Sequence, residues 1–288
     1  MESSILTAVV LPLALAFIMI GIGLELKRSD FELLFKEPKA IFLGLSAQML
    51  VLPILGIIIG FYTFTYSSPL IGAGFIILAL SPGGVTSNLF SLLAKADLAL
   101  SVSLTLFVSL ITPFWLPIAA SFILSSLESD TEIKLDIGKT IIDLFVITIV
   151  PVLVGMLIHY KNESFAKKLQ KPLKIFSTFF LFIIIISIAN KYSHIISENY
   201  STVLPASTIL AVLAFITGYF ISKMNSLPMK QMKSISIEVG IQNGTLALYV
   251  SATILGIPEM TFAVMLYSLV MFPIGFAALW LFKKVEKG

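Results

Sequence analysis

Ser81-Pro82-Gly83-Gly84-Val85-Thr86-Ser87-Asn88 and Glu238-Val239-Gly240-Ile241-Gln242-Asn243-Gly244-Thr245 are the two stretches on which the fold turns. Each lies inside a run that is otherwise apolar. Proline deletes a helical hydrogen bond and glycine loosens the backbone, so both runs are expected to be helices broken near mid-membrane. Outward from them the chain is 58% hydrophobic and only 12% charged, with a mean hydropathy of +1.02 over 288 residues. Soluble domains carry about 25% charged residues, so a single soluble domain is excluded. The net charge of +3 sits almost entirely between the apolar runs, where membrane topology explains it better than nucleic acid. With no cysteine in the sequence, disulfides, thiolate nucleophiles and Cys-ligated zinc or iron–sulfur sites are excluded.

Apolar runs fall at 5–24, 39–62, 69–94, 97–125, 136–160, 171–192, 203–222, 233–256 and 259–282. Each is near the ~20 residues that span a bilayer, which predicts an all-α polytopic membrane protein with nine transmembrane helices in one domain, 1–288. Alternating the loops places 16 of the 19 Lys and Arg on one side and leaves Lys134, Lys139 and Lys191 on the other. The basic side is cytoplasmic, so the N-terminus is expected outside and the C-terminus inside, in a bacterial inner membrane. The first run lacks a preceding Lys or Arg and reads as a retained helix rather than a signal peptide.

The two broken runs sit in matching contexts, each preceded by two ordinary spans and followed by one. The halves start five crossings apart, an odd number, which makes the repeat inverted. Paired interrupted helices in inverted halves point to a transporter site at the bilayer midplane. Glu238 is the most informative residue, because a carboxylate at that depth costs roughly 2.5–3.5 kcal/mol on insertion scales. No Lys or Arg lies at mid-depth in any run to offset it, which leaves a proton or a metal cation. Neutral oxygens accompany it in Gln48, Ser87, Asn88, Ser101, Thr105, Gln242, Asn243 and Thr245, a set suited to a hard cation such as Na⁺. Ser101 and Thr105, four apart, share one helix face.

These residues resemble the bile acid:sodium symporter family over nearly the whole chain. Ile22-Gly23-Leu24-Glu25-Leu26-Lys27 with Asp30-Phe31 and Phe35-Lys36-Glu37-Pro38-Lys39 is similar to its first cytoplasmic loop. Ser81 through Asn88 with Leu100-Ser101-Val102-Ser103-Leu104-Thr105 is similar to its first crossing region, and Glu238 through Asn243 to its second. The resemblance implies two broken, crossing helices in a core that moves against a panel in alternating access. It places the panel at about 5–62 and 136–222 and the core at about 66–126 and 228–284. It implies two Na⁺ ions, one held by Ser87, Asn88, Ser101, Thr105 and Glu238, the other by Gln48, Glu238, Val239, Ile241 and Gln242, with Val239 and Ile241 offering carbonyls. Pro82, Gly83 and Gly240 would make the breaks, and Gly84, Val85, Thr86, Asn243, Gly244 and Thr245 would face a small organic anion. Val85 stands where the family commonly has threonine, so a hydroxyl is lost at the cavity's border, and the resemblance implies an anion that is bile acid-like or a smaller carboxylate.

The implied function is Na⁺-coupled symport of an organic anion, without enzymatic activity and without a nucleic-acid partner, the lipid bilayer being its environment. A proton-coupled or Na⁺-independent carrier or exporter on the same fold is the rival within transport. A membrane sensor without transport is the rival of another class, against which the lack of a cytoplasmic output domain counts.

Overall fold

The computed structural model describes residues 6–64, 68–126 and 135–285. Residue 5 at the start of the first apolar run, residue 66 at one expected core boundary, and Lys134 and Lys287 lie outside the described residues. Fourteen α-helices, four short π-helical segments, the first at Leu6–Val10 leading into the first α-helix, and an isolated antiparallel bridge, with no strand, make up the described secondary structure. In chain order the α-helices are α1 (Leu11–Glu25), α2 (Arg28–Lys36), α3 (Pro38–Ser46), α4 (Leu52–Phe64), α5 (Pro69–Leu80), α6 (Val85–Leu93) and α7 (Leu98–Leu124). The remainder are α8 (Ile137–Leu144), α9 (Val150–Lys161), α10 (Glu163–Lys191), α11 (Ser193–Met224), α12 (Met229–Gly240), α13 (Gly244–Tyr249) and α14 (Pro258–Val285). Short π-helical turns join α3 to α4 (Ala47–Val51) and α8 to α9 (Phe145–Ile149), and Val250–Ile254 extends α13.

Local chemistry accounts for many helix ends. Asp97, Asp136, Asn162 and Asn243 cap α7, α8, α10 and α13, each side chain accepting a first-turn backbone N–H at 2.9–3.1 Å, the preferred way to satisfy those donors. Pro38, Pro69 and Pro258 open α3, α5 and α14, where a missing N–H costs nothing. Asp30 accepts the Lys27 N–H at 2.7 Å at the start of α2, and burial raises its carboxyl above the ordinary range.

Six helical segments among the described residues are long and apolar enough to cross a membrane: Ala8–Glu25, Pro38–Phe61, Leu98–Leu124, Ile137–Lys161, Ser193–Met224 and Pro258–Val285. Shorter apolar helices at Pro69–Leu80, Phe179–Lys191 and Gly244–Ile254 fall in the other three apolar runs. Two of those runs are short because the backbone breaks inside them. The third lies in the second half of the 29-residue α10, whose first turns carry Lys167, Lys168 and Lys171.

Packing divides the helices in a way the order of apolar runs does not. Helix α1 lies against α9 and α10. Its closest approach is at Gly23 and Gly155, where a Cβ on either residue would come within 2.9 Å of the other's Cα. Small residues let membrane helices approach this closely. Helix α4 packs on α5, and α11 on α12 and α14. Gly218 brings α11 to 2.7 Å, measured from an added Cβ, from the Ile235 carbonyl of α12. Helix α7 touches α3, α5 and α12, and α14 touches α5, so the elements carrying both breaks form one packed unit.

Gly155→Val forces the α1–α9 contact apart, and overpacking of this kind costs about 1–3 kcal/mol. Gly138→Ala, whose nearest neighbour would be an Asp136 oxygen at 3.7 Å, removes unfolded-state freedom within a helix and is expected to stabilise by about 0.4–1 kcal/mol. Thermal unfolding in detergent should move in opposite directions for the two variants; a Gly155→Val midpoint at or above the wild type would refute the close contact.

Candidate functional site

Helix α5 ends at Leu80, and Ser81 is extended at φ −77°, ψ 155°. Helix α12 ends at Gly240, and Ile241 is extended at φ −107°, ψ 100°. The two extended segments meet: Gly83 and Gln242 form the antiparallel bridge, and the Asn243 N–H donates to the Pro82 carbonyl at 2.8 Å. Other carbonyls freed by the breaks also find donors. Gln48 Nε2 donates to Ser81 O at 3.0 Å, and the Tyr267 hydroxyl to Gly240 O at 3.0 Å. Irregular backbone at membrane depth survives only when covered by protein in this way or lining a water-filled cavity. A Cβ on Gly83 would enter the Glu238 carboxylate, and one on Gly240 would lie 2.4–2.5 Å from Phe215 ring atoms. A side chain at either position would require Glu238 or Phe215 to move.

Glu238 stands three residues before the second break and is 1% exposed. Thr105 Oγ1 lies 2.6 Å from its Oε1, with Ser87 Oγ at 2.7 Å and Ser101 Oγ at 3.4 Å from its Oε2. Asn88 Oδ1 is 3.0 Å from Ser101 Oγ and 3.5 Å from Thr105 Oγ1. Five residues from α6, α7 and α12 thus converge on one point, the five to which the family resemblance assigns a first ion. Each hydroxyl has one proton and a second acceptor within reach: Gly84 O for Ser87 at 2.7 Å, Ser101 O for Thr105 at 3.1 Å, Asn88 Oδ1 for Ser101. Turning the protons to those acceptors exposes oxygen lone pairs towards Glu238. The donor set is one carboxylate, three hydroxyls and one amide oxygen, which fits a hard monovalent cation. No group of three or more His, Cys, Asp or Glu side chains gathers among the described residues.

Gln48, carried on the π-helical turn Ala47–Val51, meets Gln242 in a reciprocal amide pair at 2.8 and 3.3 Å. Gln242 Nε2 also donates to Val239 O at 2.7 Å and approaches Glu238 O at 3.4 Å. Gln48, Glu238, Val239 and Gln242 therefore surround the second break, joined by the buried Ile241. Here the Val239 carbonyl is occupied by an amide, and a cation would require Gln242 to turn its oxygen inward.

Of the residues expected to face a substrate, Gly84 and Asn243 lie side by side, an added Gly84 Cβ being 3.5 Å from Asn243 Cα. Val85, Gly244 and Thr245 are buried and Thr86 is half-buried. Asn243 is 5% exposed; its Oδ1 caps α13, and its buried Nδ2 has no hydrogen-bond partner. A buried donor of this kind costs about 1–3 kcal/mol when unmet, and it is suited to an anionic or carbonyl oxygen.

Five further residues neighbour the site. Ser91 Oγ donates to Ser101 Oγ at 3.0 Å, which its place one turn beyond Ser87 could have signalled. Tyr267, and Ser268 against which a Gly244 Cβ would clash, come from α14 with no local signal. Glu25, at the end of α1, accepts from Asn88 Nδ2 at 3.1 Å. Lys233, the last basic residue before Glu238, is 1% exposed and donates to Ala94 O at 3.1 Å, against the negative end of α6.

The chain's similarity to known proteins bears on this arrangement. It is 28% identical over 232 residues to "Probable sodium/metabolite cotransporter BASS2, chloroplastic" of Oryza sativa subsp. japonica, covering 81% of this chain and 54% of that protein. With "Probable sodium/metabolite cotransporter BASS3, chloroplastic" of the same plant it shares 30% identity over 247 residues, 84% of this chain and 56% of the relative. With "Uncharacterized sodium-dependent transporter YocS" of Bacillus subtilis (strain 168) it shares 26% over 239 residues, 81% and 70% respectively. The chain thus spans little more than half the length of the two plant proteins. The model of the Sodium Bile acid symporter family matches residues 12–199, well over half of the chain and including the first break, and on that match the chain belongs to the Sodium Bile acid symporter family.

Proposed function

We propose that this protein is a secondary transporter that couples inward movement of Na⁺ to uptake of a small organic anion. The observation that carries the proposal is the Glu238 carboxylate, buried at the crossing of two broken helices and met by three hydroxyls and, through them, an amide oxygen. Relatives with sodium in their names support the choice of cation. The anion meets Asn243 Nδ2 beside Gly84, and a carboxylate smaller than a bile acid suits a crossing that carries Val85.

The proposed membrane fold has nine crossings, two of them broken, in an inverted repeat with the N-terminus outside. Its panel is α1, α9 and α10, and its core is the unit built from α4, α5, α7, α11, α12 and α14 with the two short helices α6 and α13. Na⁺ neutralises Glu238 and turns the hydroxyl protons of Ser87 and Thr105 to Gly84 O and Ser101 O. The same ion stiffens the crossing that presents Asn243, so that anion binding follows cation binding. A second Na⁺ at Gln48, Val239, Ile241, Gln242 and Glu238 would give two cations per monoanion. One net charge then moves inward per cycle, and 100 mV negative inside adds about 2.3 kcal/mol to the drive.

In detergent, NaCl should raise the unfolding midpoint above that in KCl at equal ionic strength, since a ligand of the native state stabilises by RT ln(1 + [L]/Kd), about 1.4 kcal/mol at ten times Kd. Glu238→Ala should erase the difference; equal midpoints in the wild type across several hundred millimolar salt would end the Na⁺ proposal. Asn243→Ala should keep the Na⁺ stabilisation while lowering Na⁺-driven uptake of the responsive anion, found by screening from cholate to pyruvate in proteoliposomes, by about tenfold or more, the scale of one buried hydrogen bond to a charged group. Uptake unchanged in that variant would remove Asn243 from the substrate site. Imposing a potassium diffusion potential, negative inside, should accelerate uptake; indifference to voltage would rule out two Na⁺ per monoanion.

A further inference from the structure

Glu25 has no place in either ion site, yet its carboxylate reaches into the first one. It is the last residue of α1, and the carbonyl of its neighbour Leu24 is held by Gln170 Nε2 at 2.7 Å and His159 Nδ1 at 2.6 Å. Glu25 is therefore fastened to α9 and α10. Asn88 belongs to α6 and is tied through Ser101 and Thr105 to α7 and Glu238. The bond from Asn88 Nδ2 to Glu25 Oε2, at 3.1 Å, spans the two groups of helices.

A side-chain amide is planar, with oxygen and nitrogen pointing in different directions. When Nδ2 points at Glu25, Oδ1 points at the hydroxyl cluster. When Nδ2 turns into the cluster, its protons oppose a cation and the bond to Glu25 is lost. We propose that Glu25 is a positioning residue that couples cation occupancy to closure of α1 on α6: it selects the Asn88 rotamer whose oxygen faces the cation, and the cation in turn holds α1 against α6. Coupling of this kind is reciprocal, so whatever factor Glu25 contributes to cation affinity, the cation returns to the Glu25–Asn88 contact. This inference rests on the cation reading of the Glu238 cluster. It adds a link between ion binding and helix movement that the ligands alone do not supply.

The test uses the full chain in detergent with Na⁺ alone as the probe, KCl keeping the ionic strength constant. Half-saturating Na⁺, read from unfolding midpoints, should rise about 5- to 10-fold in Glu25→Ala, the lower part of the usual range for coupled sites. Glu25→Gln, which keeps an oxygen to accept from Asn88 Nδ2, should recover most of the affinity. Na⁺ should also slow amide deuterium exchange in residues 22–27 of the wild type, and not in Glu25→Ala. A purely structural role for Glu25 would lower all midpoints equally without that Na⁺-dependent protection. Na⁺ stabilisation of the wild type with unprotected residues 22–27, or unchanged Na⁺ affinity in Glu25→Ala, overturns the coupling while sparing the cation site. Absence of any Na⁺ stabilisation in the wild type overturns both. The wild-type exchange needs no variant, so misfolding of Glu25→Ala would still leave the coupling open to refutation.

Discussion

A carboxylate held inside an apolar helical protein must be answered by hydrogen-bond donors, a proton or a cation, and that requirement organises the centre of this molecule. Glu238 meets it with hydroxyls from two other helices, each of which has a second acceptor within reach. Turning a hydroxyl proton to that acceptor requires no backbone shift. Hydroxyls suit this purpose because they donate to the bare carboxylate and turn to offer lone pairs when a positive charge arrives. A fixed lysine in the same place would satisfy the charge permanently. Lys233 is buried nearby in sequence, yet its ammonium is drawn off to the α6 terminus at Ala94.

The same centre depends on two breaks in regular backbone. Each break strands carbonyls and N–H groups that a membrane interior cannot solvate. The chain pairs Gly83 with Gln242 and Pro82 with Asn243, and recruits Gln48 and Tyr267 for carbonyls that would otherwise be orphaned. Breaking one helix alone would leave those extended residues without each other. Interruption at both places is thus a structural necessity as well as a functional opportunity, and it explains why glycine occupies Gly83, where a methyl group would displace the Glu238 carboxylate.

Close helix packing through glycine supplies the larger frame. Gly23 and Gly155 join α1 to α9, while Gly218 joins α11 to α12. These contacts set which helices pack together, and at the site Asn88 on α6 bonds to Glu25 at the end of α1. Apolar faces alone, in a bilayer as apolar as the helices, would give weak preference for one grouping over another.

By itself the sequence determined that the chain is helical and rich in membrane-length apolar runs, that two runs break, that Glu238 lies deep in one of them, and that Ser101 and Thr105 share a helix face. These are consequences of composition, of proline and glycine in apolar surroundings and of helical spacing, all local properties written in neighbouring residues. The family motifs supplied the pairing of α6 with α12, which spacing does not contain. Only the tertiary structure decided that α4 and α11 pack with the broken helices, that a π-helical turn carries Gln48, that Tyr267 answers Gly240, and that Glu25 meets Asn88 across 63 residues of sequence. Those facts depend on which helix faces meet in three dimensions. Helix faces in an apolar chain differ by single glycines and single polar atoms, and a linear pattern does not record what stands opposite them.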